Sequence, residues 1–226
     1  MVPVEGGTFL RGAPTTQTGS SNYERPQHLV TVSDYMIGQT PVTQALWQAV
    51  KGNNPSDFTG DLQRPVERVS WDDCQTFIDQ LNVLTGQQFH LPTEAEWEFA
   101  ARGGNLSQGY ALAGGNIPGP IAWYSTNSDS KTHPVAQKDP NELGLYDMSG
   151  NVREWCSDWY VNYEWYTSYF TQPIVNPTGP ETGTYKMWRG GSWSEAAKYC
   201  RCTERESMGV PTTKNNFTGF RLALTN

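Results

Sequence analysis

The chain has 226 residues, 22 of them Gly and 15 Pro, with a formal net charge of −7 and a pI near 5.0. That acidic balance excludes the basic, phosphate-neutralising surface of a nucleic-acid binder, and no run of about 18 apolar residues offers a membrane-spanning helix. The length allows a real buried core, and the frequent turn formers predict short strands, a few helices and much irregular backbone, with nine Trp and eleven Tyr supplying buried area.

Met1-Val2-Pro3-Val4-Glu5 carries neither the basic nor the apolar region of an export signal, so no cellular compartment follows from the chain as given. Residues 2 to 12 alternate toward a strand, with turns at Gly6-Gly7 and Gly12. A polar, Thr/Ser-rich loop follows to residue 26, and His28 to Met36 reads as a second strand. Thr43 is placed to cap a helix over Gln44–Lys51 that Gly52 ends.

Ser70-Trp71-Asp72-Asp73 is a capping-box start with Asp in the usual Glu position. Cys74, Phe77, Ile78 and Leu81 then fall on one helical face, and Gly86 closes the element. The next helix begins at Thr93, with Glu96 completing its capping box; Ala95, Trp97, Phe99 and Ala100 fill core, and Arg102-Gly103-Gly104 stops it. Residues 105 to 140 form a long loop with one aromatic anchor, Trp123-Tyr124. Such a loop is functional or pinned, for instance by an ion. Trp159 to Phe170 is dense in aromatic residues and reads as a lid or rim. No break in composition or internal repeat divides the chain, so a single domain over residues 1–226 is expected.

Cys74, Cys156, Cys200 and Cys202 are too few for a disulfide scaffold, and Cys74 and Cys156 read as buried free thiols. His28, His90 and His133 are scattered, and His90 reads as structural. No phosphate loop, nucleophile elbow or His-Glu-x-x-His occurs.

Three blocks carry more information: Leu91-Pro92-Thr93-Glu94-Ala95-Glu96-Trp97-Glu98, Asp147-Met148-Ser149-Gly150-Asn151-Val152-Arg153-Glu154-Trp155, and the pair Arg189-Gly190-Gly191-Ser192-Trp193 with Gly219-Phe220-Arg221-Leu222. Through them the chain resembles the formylglycine-generating enzyme (sulfatase-modifying factor) family over nearly its whole length, from Val2 to Leu224. The resemblance implies an α+β domain of the C-type-lectin-like fold, loop-rich, with short strands and a few helices.

Asp147 and Glu154 flank a glycine turn, and oxygen-only donors are what Ca2+ takes. In the resembled family the matching positions hold calcium. Structural Ca2+ is thereby implied, with side chains from Asp147 and Glu154 and carbonyls from Gly150 and Val152. The bland reading is a turn whose Glu154 pairs with an arginine such as Arg153 or Arg189. Arg153 itself stands where the family usually has Trp.

The family's enzymes use two cysteines after the Gly-Gly-Ser block to bind copper as thiolates and activate oxygen. By resemblance the first falls at Glu195, a hard oxygen donor unable to replace a soft redox-active thiolate, and the second near Cys200. No copper is expected. Cys200 and Cys202 could share a strand face and hold a metal, although Arg201 between them looks structural.

Between the two framing blocks, Ser194, Glu195, Ala196, Tyr199, Cys202, Glu204, Glu206, Ser207, Met208, Val210 and Phe217 are chemically mixed, neither a periodic core face nor a solvated charge run. Adaptable side chains of this kind suit a contact surface. The arrangement resembles the variable proteins of diversity-generating retroelements, in which a domain of this type ends in the same two blocks and adenine-templated mutagenesis alters positions between them. The resemblance implies a non-enzymatic binding protein whose segment 189–222 displays a patch to a protein or cell-surface ligand, with no nucleic acid and no membrane insertion. The alternatives are a copper-dependent formylglycine-generating oxidase or another redox enzyme, and a silent relative whose residues 194–218 only finish the core.

Overall fold

The computed structural model describes residues 1–161, 174–205 and 208–225. Its first expected strand divides in two, β1 (Val2–Val4) and β2 (Gly7–Arg11), which enter different sheets. Between them a Cβ on Gly6 would lie 2.5 Å from the Val32 carbonyl oxygen, an approach only glycine permits. The second expected strand likewise splits into β3 (His28–Val32) and β4 (Tyr35–Ile37). The Gly6 N–H donates to Asp34 Oδ1 at 2.8 Å and fixes the turn between them.

The helices follow their capping signals. In α1 (Gln44–Lys51) the Leu46 N–H donates to Thr43 Oγ1, and Gly52 ends the element at φ 75°. In α2 (Trp71–Thr85) Ser70 and Asp73 satisfy each other's backbone N–H groups at 2.8 and 3.1 Å. Cys74, Phe77, Ile78 and Leu81 are its buried face, and Gly86 at φ 70° closes it.

After β5 (Phe89–His90), α3 (Glu94–Ala101) starts at the reciprocal Thr93–Glu96 cap, at 2.8 and 3.1 Å. This helix is buried at every position but Glu96, including Glu94 and Glu98. Two buried carboxylates require cations, and the sequence pattern alone did not place them inside.

The loop 105–140 contains one helical turn, α4 (Pro118–Ile121), with proline at its start. Side chains pin the loop. Asn105 Nδ2 donates to the Gly6 carbonyl at 3.1 Å, Asn151 exchanges 3.0 Å hydrogen bonds with the His133 backbone, and Lys138 Nζ lies 3.9 Å from the Trp123 ring centroid.

β6 (Arg153–Trp159), β7 (Ile174–Val175), β8 (Lys186–Arg189), β9 (Met208–Gly209), β10 (Thr218–Gly219) and β11 (Ala223–Leu224) complete the described strands. Three sheets result among the described residues, ordered β1-β4-β11-β5, β10-β6-β8-β9 and β2-β3-β7. In the second, β6 runs between the two framing blocks. Arg189 lies opposite Glu154 across the antiparallel β8 pairing, and Gly219 lies beside Glu154 across the parallel β10 pairing.

That sheet separates two apolar clusters, because successive strand side chains point to opposite faces. Trp155 and Trp188 face a cluster with Trp47, Phe77 and Phe220; Cys156 and Met187 face one with Trp97, Phe99 and Tyr35. Of the aromatic run read as a lid, only Trp159 and Tyr160 fall within the described residues. No helix among the described residues is long and apolar enough to cross a membrane.

Candidate functional site

The framing blocks are fixed by two buried arginines. Arg189, 1% exposed, donates to Glu94 Oε1 and Glu98 Oε2, both at 2.8 Å, and to the Cys202 carbonyl at 2.5 Å. Although burial opposes the charge of Glu98, Arg102, Arg189 and Arg11 hold its carboxyl down at about 2. Arg221, fully buried, makes a two-pronged pair with Glu154 at 2.6 and 2.7 Å and donates to the carbonyls of Gly38 and Tyr146. Paired, multiply bonded guanidinium groups meet the condition under which buried charge is tolerated.

The Gly190-Gly191 turn between frame and display is left-handed at both residues, φ 95° and 68°. A Cβ on Gly191 would stand 2.6 Å from the Tyr199 carbonyl oxygen and 2.9 Å from Cys200 Sγ, so a larger residue there would push the two halves of the segment apart.

Beyond this turn the expected display residues separate into groups. Ser194, Ala196 and Val210 are exposed, and Glu195, Tyr199, Met208 and Phe217 are half-buried. Cys202 and Glu204 are 0% and 1% exposed, so their assignment to a contact surface is corrected: the chain turns inward there, with Cys202 Sγ donating to the Ala101 carbonyl at 3.5 Å. Glu206 and Ser207 lie outside the described residues.

The organising contact of the exposed face is one that the sequence reading did not place there. Arg153 Nε donates to Glu195 Oε2 at 2.7 Å, and Arg153 Nη2 also bonds Glu195 Oε1; each side chain is 14% exposed. The same guanidinium lies 5.3 Å from the Trp188 ring centroid and 5.4 Å from that of Phe217. Arg153 thus ties Glu195 to the far end of the display segment at Phe217, while Trp188 packs beneath Gly209 between Met208 and Val210.

Beside this hub, Trp193 donates from Nε1 to the Asn216 carbonyl at 2.8 Å and meets the Phe58 ring edge-on at 5.3 Å. The sequence signal that could have found this face was the joint departure of Arg153 and Glu195 from the family pattern. The two side chains touch.

The thiols are not arranged as a metal pair. Cys200 packs with Leu112, Ile121 and Ala122, whereas Cys202 packs in the cluster of Trp97 and Phe99. Burial pushes both thiols up, Cys202 to about 12, so neither offers a thiolate near neutral pH. Cys74 and Cys156 are buried free thiols, as read.

Of the four residues implied for calcium, Glu154 is bonded by Arg221 and by Trp97 Nε1 at 2.7 Å. Its arginine partner is therefore Arg221, in place of Arg153 or Arg189. Asp147, at φ 56°, accepts from the Ala136 N–H and Asn151 Nδ2 at 2.8 and 3.2 Å. Burial first, with the nearby Glu154 charge adding to it, raises the Asp147 carboxyl to about 6. Both Glu154 oxygens are thus held by protein donors, while Asp147 accepts only from a backbone N–H and an amide beside the left-handed glycine turn. No group of three or more His, Cys, Asp and Glu side chains gathers as a metal site among the described residues.

The sulfatase-modifying factor enzyme 1-like domain matches residues 1–226. The chain is 34% identical to the chaperone protein LppX of Paenibacillus barcinonensis over 85% of its own length and 78% of that protein. It is 36% identical to the formylglycine-generating enzyme of Streptomyces coelicolor over 80% of its length, and spans 59% of that enzyme. Among solved structures, Treponema denticola variable protein 1 superposes with a TM-score of 0.88 at 33% identity, covering 99% of this chain and 94% of that one. The fold is accordingly the α+β, C-type-lectin-like one with few helices and many short strands.

Proposed function

We propose that this chain, which belongs to the sulfatase-modifying factor enzyme 1-like domain family, is a non-enzymatic binding protein. It presents the face around Arg153, Trp193, Ser194, Glu195, Ala196, Met208, Val210 and Phe217 to a protein or cell-surface ligand, as a variable protein of a diversity-generating retroelement does. The observation that carries this reading is the Arg153–Glu195 pair: the position at which the resembled oxidases place a reactive sulfur holds a carboxylate, already neutralised by a guanidinium. Support also comes from the division of labour in the segment, with Arg189 and Arg221 buried in ion pairs and Ser194, Ala196 and Val210 in solvent.

Sequencing the coding region and its flanks from many isolates tests the proposal. Codon changes should concentrate at Ser194, Glu195, Ala196, Tyr199, Met208, Val210 and Phe217, with an adenine-substituted copy of the segment nearby. Changes spread evenly through 189–222, or none beside any such copy, would contradict it.

Calcium belongs to the same proposal as a structural ion. The Asp147 and Glu154 carboxylates with the Gly150 and Val152 carbonyls would hold it, and it would offset the burial of the Asp147 charge.

A second reading is favoured by the 36% identity to a formylglycine-generating enzyme. On it, Cys200 or Cys202 would have to become a thiolate and bind copper.

A further inference from the structure

Glu67 is fully buried, yet no guanidinium pairs with it as Arg189 does with Glu94 and Glu98 and Arg221 with Glu154. Its Oε1 accepts the Phe58 N–H at 2.9 Å, and its Oε2 is buried without a hydrogen-bond partner. Phe58 belongs to a strap, residues 53–58, laid over this carboxylate. Ser56 Oγ accepts the Glu67 N–H at 3.2 Å, Gln44 Nε2 donates to the Phe58 carbonyl at 3.0 Å, and Asn53 Oδ1 accepts from Trp47 Nε1 at 3.1 Å. Among these anchors, the Phe58 N–H bond is the one made to an ionisable side chain. At the outer end of the strap, the Phe58 ring rests on Trp193.

We infer that Glu67 and the strap form a pH-sensitive latch on the display face, in which proton uptake by Glu67 weakens its hold on the Phe58 N–H and shifts the Phe58 ring against Trp193. The device regulates the site described under the proposed function, and its relevance to binding rests on that reading.

The chemistry follows from burial. A carboxylate out of water favours its neutral form, and here burial raises the Glu67 carboxyl from the ordinary 4.5 to about 7. Two charged groups act on it from outside the pocket. Asp57, on the strap, raises its proton affinity and Arg68, on its own segment, lowers it; the two pair with each other at 3.0 Å, both well exposed. The ionised form makes a charge-assisted bond to the Phe58 N–H, roughly twice as strong as the neutral one. The Ser56 and Gln44 anchors do not involve the carboxylate, so the change centres on the Asp57 and Phe58 backbone and on what Phe58 touches.

Amide and indole resonances of the full chain, followed from pH 5.5 to 8.5, test the latch without any ligand. The Phe58 amide and the Trp193 indole N–H are expected to titrate together with a midpoint near 7, and to become flat in Glu67→Gln. Asp57→Asn should move the midpoint down and Arg68→Ala should move it up. A Phe58 amide that does not titrate, a titration that survives in Glu67→Gln, or a Trp193 indole that stays still while Phe58 moves would each overturn the latch, leaving the display reading untouched. Thermal melting gives a second readout with a definite sign. Because the folded-state value lies above the unfolded one, the wild type loses stability as pH rises from about 4.5 through 7. Glu67→Gln is expected to melt above the wild type at pH 8.5, with the gap closing toward pH 4.5; no gap at pH 8.5 would also overturn the inference.

Discussion

The guanidinium of Arg153 clasps the carboxylate of Glu195 on both oxygens, between the rings of Trp188 and Phe217. Both side chains are only 14% exposed, so the pair lies between a surface ion pair and an interior one. Removing one partner strands the other: Glu195→Ala and Arg153→Ala are each expected to cost about 2 kcal/mol. In a double-mutant cycle by chemical denaturation the two losses should be non-additive by about 1 kcal/mol or more. Additive losses would mean that the contact does not organise the face.

Interior arginines should behave differently from exposed display residues. With calcium chelated, Arg221→Met leaves Glu154 fully buried without its guanidinium, and such uncompensated charges cost about 3–5 kcal/mol. Ser194→Ala, at an exposed position, should stay within about 0.5 kcal/mol of the wild type. Urea midpoints read the contrast directly, and equal losses at the two positions would remove the distinction between frame and display.

The calcium proposal predicts that added Ca2+ raises the melting temperature and that chelator lowers it. In Asp147→Ala the melting temperature should no longer respond to either. Melting that is the same with calcium and with chelator in the wild type would exclude a structural ion at Asp147 and Glu154.

Gly191→Ala probes the turn that separates frame from display. Its φ of 68° and the 2.6 Å approach of a Cβ to the Tyr199 carbonyl oxygen make the substitution strained and crowded at once. A loss above about 1 kcal/mol is expected from the backbone conformation alone. Retained stability would show that the turn relaxes freely.

Much of the fold was legible in the sequence where local chemistry decides it. Thr43, Ser70 and Thr93 each start a helix as their side chains dictate, and Gly52 and Gly86 end theirs in the left-handed region. Strand boundaries were less so, because the breaks at Gly6 and at Ser33-Asp34 depend on contacts between segments distant in sequence. At the site, Ser194, Ala196 and Val210 face solvent, whereas Cys202 and Glu204 do not, since the direction of an irregular chain is set by what it packs on. The partner of Glu154 was also hidden. Arg153 and Arg189 lie nearer in sequence or register, but the strand pairing brings Gly219, and with it Arg221, to the same carboxylate.

Oxygen uptake by the reduced full chain with copper(I) and a cysteine-containing peptide is the measurement that bears most directly on the central claim that this domain binds and does not oxidise. With Glu195 paired to Arg153 and the Cys200 and Cys202 thiols held protonated in separate apolar clusters, the rate should match that of copper and peptide alone. Uptake above that rate, lost in Cys200→Ser or Cys202→Ser, would contradict the account.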